Sequence, residues 1–129
     1  MLMNDLVTGI GEVLWDLLPD GRKIGGAPAN FAYHISQFGL PGCVVSAVGH
    51  DSLGDEIVAT VDSKDILNRI ERTDFPTGTV KVEVDAAGIP RYDICSDVAW
   101  DHIPFTPKIE ETAMRTRAFS LRYHAHPGE

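Results

Sequence analysis

The sequence predicts one α/β domain with two kinds of β-sheet, and three observations support this prediction. Two solid apolar runs, Leu6–Ile10 and Cys43–Val48, are typical of strands that are buried on both faces. A helical pattern that begins at Pro28 lies between them, which indicates a parallel strand–helix–strand unit. Finally, Thr79–Val84 and Arg91–Val98 alternate between apolar and polar residues, so they predict a separate hairpin with one solvent-exposed face.

The composition is that of an acidic globular domain. Of the 129 residues, 43% are hydrophobic and 23% are charged, and these values exclude an intrinsically disordered chain. The formal net charge of −8 disfavours nucleic acid or an anionic membrane as a partner. A small phosphorylated ligand stays possible, since backbone N–H groups can hold a phosphate even in an acidic protein.

We expect a cytoplasmic protein because no targeting or membrane signal is recognisable. No apolar run approaches the ~20 residues that a membrane span needs. The first residues lack both the basic flank and the long apolar stretch of a signal peptide. In a chain without a secretory signal, the widely separated Cys43 and Cys95 favour two buried free thiols.

The first helix carries an apolar stripe that predicts its buried face. Phe31, Ile35 and Phe38 recur at the spacing of one side of a helix. Gly39 then predicts the end of this helix, and Pro41 prevents its continuation.

Weaker signals place the remaining elements. Val13–Leu17 alternates directly after the first apolar run, which suggests a continuing or second strand. A second helix is predicted over Leu53–Leu67, with Asp51 or Ser52 as its N-cap. A third helix is predicted over 106–117.

A glycine pair directly before the first helix suits ligand binding. Gly25 and Gly26 lack a Cβ atom, so a ligand can approach their backbone closely. The first helical turn supplies N–H donors, and Asn30 in that turn adds an amide donor and an acceptor. This set fits a polyhydroxylated ligand, although the residues taken alone favour the simpler interpretation of a turn with Asn30 as a capping residue.

The whole pattern resembles the first signature of the PfkB, or ribokinase-like, carbohydrate kinases. Its fixed positions are filled at the expected spacing by Gly25, Gly26, Pro28, Asn30, Ala32, Gly39 and Gly49. The segments on either side, Gly11–Asp16 and Asp51–Glu56, agree with that family. Two further segments, Pro76–Thr79 and Val98–Asp101, are most similar to its fructokinase branch. The resemblance extends roughly over residues 6–117.

The resemblance implies a ribokinase-like fold, of which this chain holds a part. Family members combine a large α/β domain, built on a mostly parallel sheet, with a small β-sheet lid over the sugar site. Residues 1–117 would be the N-terminal part of that domain, with lid strands at about 13–24 and 79–98, and residues 118–129 would be a divergent tail. We expect the C-terminal half of the fold to be absent.

The resemblance also implies a sugar site. Four residues match the sugar contacts of the family: Asp16, Gly25, Gly26 and Asn30. A carboxylate such as that of Asp16 suits a pair of hydroxyl groups because its oxygens are charged acceptors with several lone pairs. Ile94 and Val98 are candidates for apolar contacts from the lid, with the core of the lid as the alternative. No catalytic, cofactor-binding or metal-binding residue is expected in this chain.

The implied activity of an intact family member is ATP-dependent phosphorylation of a hexose such as fructose, with Mg²⁺. A Gly-Ala-Gly-Asp motif supplies the general base in the family, and this sequence does not contain it. We therefore expect a truncated, inactive chain that binds neither ATP nor Mg²⁺ well. The alternatives are a sugar-binding fragment without catalysis and a fragment that self-associates through the lid sheet or an open sheet edge. His124 and His126 are expected to form no metal site, since a third ligand is missing.

Overall fold

The structure, a computed structural model, describes residues 5–122, and this part of the chain forms two four-stranded β-sheets and three α-helices. The helices are α1 (Ala27–Gln37), α2 (Ser52–Asp62) and α3 (Pro107–Met114), and a 3₁₀ turn spans Ala99–His102. The strands are β1 (Leu6–Gly11), β2 (Leu14–Leu18), β3 (Gly21–Gly25), β4 (Gly42–Gly49), β5 (Leu67–Thr73), β6 (Gly78–Val84), β7 (Pro90–Ile94) and β8 (Thr116–Arg122). None of the helices in this range has the length and apolar character needed to cross a membrane.

The first sheet is entirely parallel and has the strand order β5-β4-β1-β8. On one face, Val44 and Val48 of β4 pack in the same core cluster as Ile57 of α2. On the other face, Cys43 packs with Ile109 of α3. Because helices cover both faces, β4 is buried at every position, as its continuous apolar run predicts.

The second sheet is small and mixed, with the order β3-β2-β6-β7. β2 pairs antiparallel with β3 and parallel with β6, and β6 and β7 form the predicted hairpin. The second hairpin strand ends at Ile94 rather than at Val98, and Asp97, three residues further on, has a φ of 57°. The predicted fold class, a partial parallel sheet with helices beside a small β-sheet, is confirmed.

Helix α1 packs against the parallel sheet through its backbone rather than through large side chains. A Cβ atom at Gly9 would lie 2.5 Å from the carbonyl oxygen of Pro28, and one at Gly42 would collide with the carbonyl oxygen of Ala32. The buried residues of the helix are accordingly Pro28 and Ala32, which are small enough for this close approach. The predicted apolar stripe is buried only in part, since Phe31 and Ile35 are half-buried and Phe38 at its end is 82% exposed.

The helix predicted over 53–67 ends earlier than expected, and the last residue of that segment begins a strand. Asp51 is the N-cap of α2, as predicted, and its side chain accepts a hydrogen bond from the N–H of Gly54. The helix ends at Asp62, and β5 then pairs with β4 at the edge of the sheet. β5 is half-buried at all seven positions and largely polar, so it shows no apolar run that would have marked it as a strand.

Strand β8 extends across the predicted boundary at residue 118. It pairs in parallel with β1, and the hydroxyl oxygens of Thr8 and Thr116 lie 2.8 Å apart. Residues 118–122 of the predicted tail therefore belong to the sheet, while the domain boundary itself stays a prediction. Phe119 and Leu121 are 53% and 74% exposed. His124 and His126 lie outside the described residues.

The two cysteines are free thiols in different environments. Cys43 is buried in the parallel sheet, and this burial raises the pKa of its thiol to about 11. Cys95 is exposed, so the prediction of a second buried thiol is wrong. It follows directly after β7, where the hydroxyl group of Thr79 lies 3.3 Å from its sulfur atom.

Candidate functional site

Asp16 lies in the middle of β2, on the same face of the small sheet as Leu14. It is level with Lys23 of β3 and with Val80 of β6. The residue is half-buried, and within residues 5–122 its carboxylate has no hydrogen bond or ion pair. Its oxygen lone pairs are therefore available to a ligand that donates hydrogen bonds.

Gly25 and Gly26 bring the backbone close to this carboxylate. A Cβ atom at Gly25 would lie 2.6 Å from Oδ2 of Asp16, so a larger residue would displace the carboxylate. Gly26 is the N-cap of α1, with a φ of 115°, and a Cβ atom there would collide with the carbonyl oxygen of Glu12. Gly26 therefore requires glycine for both conformation and space, whereas the glycine at position 25 leaves room for the carboxylate of Asp16.

Asn30 lies in the first turn of α1 and is exposed. Its N–H group points back to the carbonyl oxygen of Gly26 at 3.5 Å. Asn30 lines a cavity of about 370 Å³ whose lining includes Trp15 but not Asp16. The structure thus places Asp16 directly beside Gly25, whereas Asn30 lies further along the helix and borders a different space.

The face that carries Asp16 continues across β6 and β7. Val80 is level with Asp16 on one side and with Ile94 on the other, and residues level with each other in a sheet project to the same face. Tyr92, two residues before Ile94, shares this face and is 65% exposed. Of the two predicted lid candidates, only Ile94 lies here, because Val98 is outside the strands and buried.

Tyr92 is a candidate residue that sequence reasoning did not single out. The signal was available, since Tyr92 occupies the position two before Ile94 in an alternating strand. The result is a surface in which an aromatic ring and aliphatic side chains lie beside an unpaired carboxylate. Such a surface can hold the apolar face of a ring while the carboxylate accepts hydrogen bonds from its hydroxyl groups.

Comparisons with curated proteins identify relatives among the sugar kinases. The chain is 30% identical over 112 residues to a sugar kinase of Pyrococcus horikoshii, covering 77% of this chain and 36% of that protein. It is 32% identical over 93 residues to a fructokinase of Klebsiella pneumoniae, covering 67% of this chain and 30% of the fructokinase. No protein-family model matches the chain.

Solved structures show the same relationship in three dimensions. An uncharacterised sugar kinase from P. horikoshii superposes with a TM-score of 0.66 at 30% identity, over 74% of this chain and 35% of that one. A fructokinase from Vibrio cholerae O395 gives a TM-score of 0.68 at 26% identity, over 74% of this chain and 36% of its own. This chain is a partial homologue of the ribokinase-like sugar kinases. A 2-dehydro-3-deoxygluconokinase from Thermotoga maritima, 22% identical, shares the fold with a TM-score of 0.76 over 91% of this chain.

The homology to the ribokinase-like kinases covers only part of those enzymes. The chain spans about a third of the curated relatives it matches, 36% of the P. horikoshii protein and 30% of the K. pneumoniae fructokinase. Among the solved structures, this chain covers 35% of the P. horikoshii sugar kinase and 36% of the V. cholerae fructokinase.

A polar cluster joins the two sheets of this ribokinase-like chain. Oδ1 of Asp51 accepts hydrogen bonds from the hydroxyl group of Thr77 at 2.6 Å and from the N–H of Gly54 at 2.8 Å, and Oδ2 accepts one from the N–H of Thr77 at 3.0 Å. Burial raises the pKa of Asp51, but these hydrogen bonds and the charge of Arg72 together hold it below its usual value. Because β6 begins one residue after Thr77, this cluster fixes the start of β6 to the parallel sheet.

Proposed function

We propose that this chain forms the sugar-binding side of a carbohydrate kinase, and that the intact parent enzyme phosphorylates a hexose such as fructose with ATP. The observation that carries the proposal is the unpaired, half-buried carboxylate of Asp16 directly beside Gly25. Sequence similarity to two fructokinases supports the choice of sugar. Residues 1–117 would be the N-terminal part of the kinase domain, with the strands within 13–24 and 79–98 as its lid.

The proposed sugar contacts are of two kinds, hydrogen bonds from polar groups and contacts of apolar side chains with the ring. Asp16 accepts hydrogen bonds from two neighbouring hydroxyl groups of the sugar, and the backbone at Gly25 and Gly26 allows the ring to approach closely. Asn30 borders a different cavity, so the proposal does not place its amide group on the same sugar. Tyr92 and Ile94 lie across the same face of the small sheet and cover the apolar side of the ring.

ATP and Mg²⁺ belong to the proposed parent enzyme rather than to this part of it. Solved relatives include the P. horikoshii sugar kinase in complex with ATP and an Escherichia coli protein named a ribokinase II in complex with ATP and Mg²⁺. In the part of the chain that the structure describes, no group of three His, Cys, Asp or Glu side chains is placed to hold a metal ion. The proposal assigns the described residues sugar binding alone.

D16N tests the sugar site directly. We expect millimolar binding of fructose by the wild-type chain and a loss of about tenfold or more in D16N, because hydrogen bonds to a charged acceptor contribute about 1.5–3 kcal/mol. The measurement is an NMR titration of the labelled chain with fructose. D93N is the matched control, since Asp93 is an exposed carboxylate in β7 that is level with Lys81 rather than with Asp16. Equal affinity of D16N and D93N would contradict the site.

The chain of 129 residues alone is expected to form no fructose phosphate from fructose and ATP. Phosphoryl transfer depends on groups that position the phosphates and stabilise charge, and the family's Gly-Ala-Gly-Asp motif is not in this sequence. Phosphorus NMR of the purified chain with ATP, Mg²⁺ and fructose measures the product, with a full-length fructokinase as the positive control. Appearance of fructose 6-phosphate or fructose 1-phosphate would refute this expectation.

Self-association without catalysis is the second candidate function. It is favoured by the exposed outer strands of the two sheets, since β7 is exposed at all five positions and Phe119 and Leu121 of β8 are exposed apolar side chains. Unpaired strand edges of this kind are able to pair with another chain. This candidate does not use the unpaired carboxylate of Asp16, which is why we prefer the sugar-binding proposal.

A further inference from the structure

Lys23 is the cross-strand neighbour of Asp16 in the small sheet. The two residues are level with each other in the antiparallel pair of β2 and β3, so their side chains project to the same face from Cβ atoms about 5 Å apart. The same row continues through Val80 of β6 to Ile94 of β7. Asp16 therefore lies between a cationic side chain on the edge strand β3 and aliphatic side chains on the other side.

Lys23 is the only cation that the described strands of the small sheet contribute to this face. The positions two before and two after it in β3 are Gly21 and Gly25, so no other side chain of its own strand lies on the face. Apart from Asp16, the residues that β2, β6 and β7 present there are uncharged. A positive charge thus stands directly beside the carboxylate on a face that is otherwise largely apolar.

The ammonium group of Lys23 is accessible to a ligand. The residue is exposed, and within residues 5–122 its side chain forms no hydrogen bond or ion pair, not even with the carboxylate of Asp16. A lysine carries three N–H donors on a flexible stem of four carbons. Its ammonium group can therefore reach a molecule that is held at Asp16.

A sugar at Asp16 needs donors as well as acceptors from the protein. Each hydroxyl group has one O–H donor and two acceptor lone pairs, whereas an ionised carboxylate can only accept. The lone pairs of the sugar oxygens therefore find no partner in Asp16. The ammonium group of Lys23 has donors and no acceptor, so its hydrogen-bonding capacity is complementary to that of Asp16.

We propose that Lys23 is a specificity-determining residue of the sugar site, an inference that rests on the proposed binding of a sugar at Asp16. Its ammonium group donates a hydrogen bond to the oxygen of a third hydroxyl group, next to the pair that donates to Asp16. The two side chains together recognise a run of three hydroxyl groups. A sugar that lacks one of them is disfavoured because a charged group of the site then loses its partner.

NMR titration of the labelled chain with fructose and with its monodeoxy analogues at C1, C3, C4 and C6 tests this role. K23M is expected to weaken the binding of fructose about tenfold, because methionine has an unbranched side chain but no charged donor. K23M should also lose the preference for fructose over one analogue, the one that lacks the hydroxyl group at Lys23. K23R retains a charged donor and should bind fructose within about threefold of the wild type.

K81M is the matched control for the loss of a lysine from this sheet. Lys81 is an exposed residue of β6, but it is level with Leu17 and projects to the opposite face, where it pairs with Glu83. K81M should bind fructose and all four analogues as the wild type does. Thermal unfolding of K23M should also match that of the wild type, since Lys23 is exposed on an edge strand.

The deoxy analogues distinguish a direct contact of Lys23 from an effect that passes through Asp16. Loss of preference at one hydroxyl position in K23M, and at two other positions in D16N, supports the proposal. Loss at the same positions in both variants would mean that Lys23 only orients Asp16. That result, an equal loss for fructose and every analogue in K23M, or unchanged fructose binding in K23M would overturn the role of Lys23 and leave the sugar site at Asp16 intact. Unchanged fructose binding in D16N would overturn the proposed function itself, and the role of Lys23 with it.

Discussion

Replacing Gly9 with alanine is expected to lower the free energy of unfolding by about 3 kcal/mol, at the upper end of the usual cost of overpacking a core. The new Cβ atom would lie 2.5 Å from the carbonyl oxygen of Pro28 and 3.0 Å from its Cα atom. These are backbone atoms, so no side chain can rotate to make room. Helix α1 would have to move away from β1, and the contact of Ala32 with the sheet would loosen with it.

Urea unfolding of G9A, compared with G39A, measures this effect. Gly39 has a φ of +82°, but a Cβ atom there has no neighbour within 4 Å. G39A therefore reports only the conformational cost of a left-handed residue, about 1 kcal/mol. If G9A costs no more than G39A at an unchanged urea m-value, close backbone packing does not hold α1 in place.

The close approach of α1 to Gly9 and Gly42 explains which parts of the fold the sequence predicts. The strands around Leu6–Ile10 and Cys43–Val48 were predictable because burial on both faces demands apolar residues along the whole strand. The buried face of α1 was not, because Gly9 and Gly42 on the facing strands decide how closely the helix approaches. Once backbones touch, small residues face the sheet and large ones such as Phe38 face outward.

Parts of the molecule near the candidate site also differ in how far the sequence predicts them. Gly25 and Asp16 are close in sequence and belong to neighbouring strands of one sheet, so a motif with fixed spacing is enough to place them together. The lining of the cavity that Asn30 borders comes from different elements, with Arg22 from β3 and Lys64 from the segment after α2. Only the packing of α1 and α2 against the small sheet brings them to one cavity.

Replacing Asp51 with alanine is expected to lower the free energy of unfolding at neutral pH by about 3 kcal/mol. Loss of an N-cap costs about 1 kcal/mol. Loss of the charged acceptor for Thr77 adds about 2 kcal/mol, because hydrogen bonds to ionised groups are among the stronger ones. Thr77 is buried, so water cannot easily replace the lost partner of its N–H group.

The loss of stability in D51A is expected to become smaller as the pH falls. Although burial raises the pKa of Asp51, the hydrogen bonds from Thr77 and Gly54 and the charge of Arg72 lower it overall in the folded chain. The unfolded chain has the ordinary aspartate pKa of about 3.9 and therefore binds the proton more readily. The stabilisation by Asp51 is thus complete well above that value and is lost as the pH falls through the folded pKa.

Urea unfolding of wild type, D51A and D85N from pH 7 down to pH 3 tests this expectation. The difference between wild type and D51A should shrink as the pH falls below about 4, since protonated Asp51 loses its charged hydrogen bonds. D85N controls for the loss of one negative charge, because Asp85 lies in the turn between β6 and β7 and accepts hydrogen bonds only from the N–H groups of Ala87 and Ile89. A difference between wild type and D51A that stays constant over this range would mean that the charge of Asp51 contributes nothing. A difference that shrinks would show that the ionised form of Asp51 stabilises the fold, as expected from its hydrogen bonds to Thr77 at the start of β6.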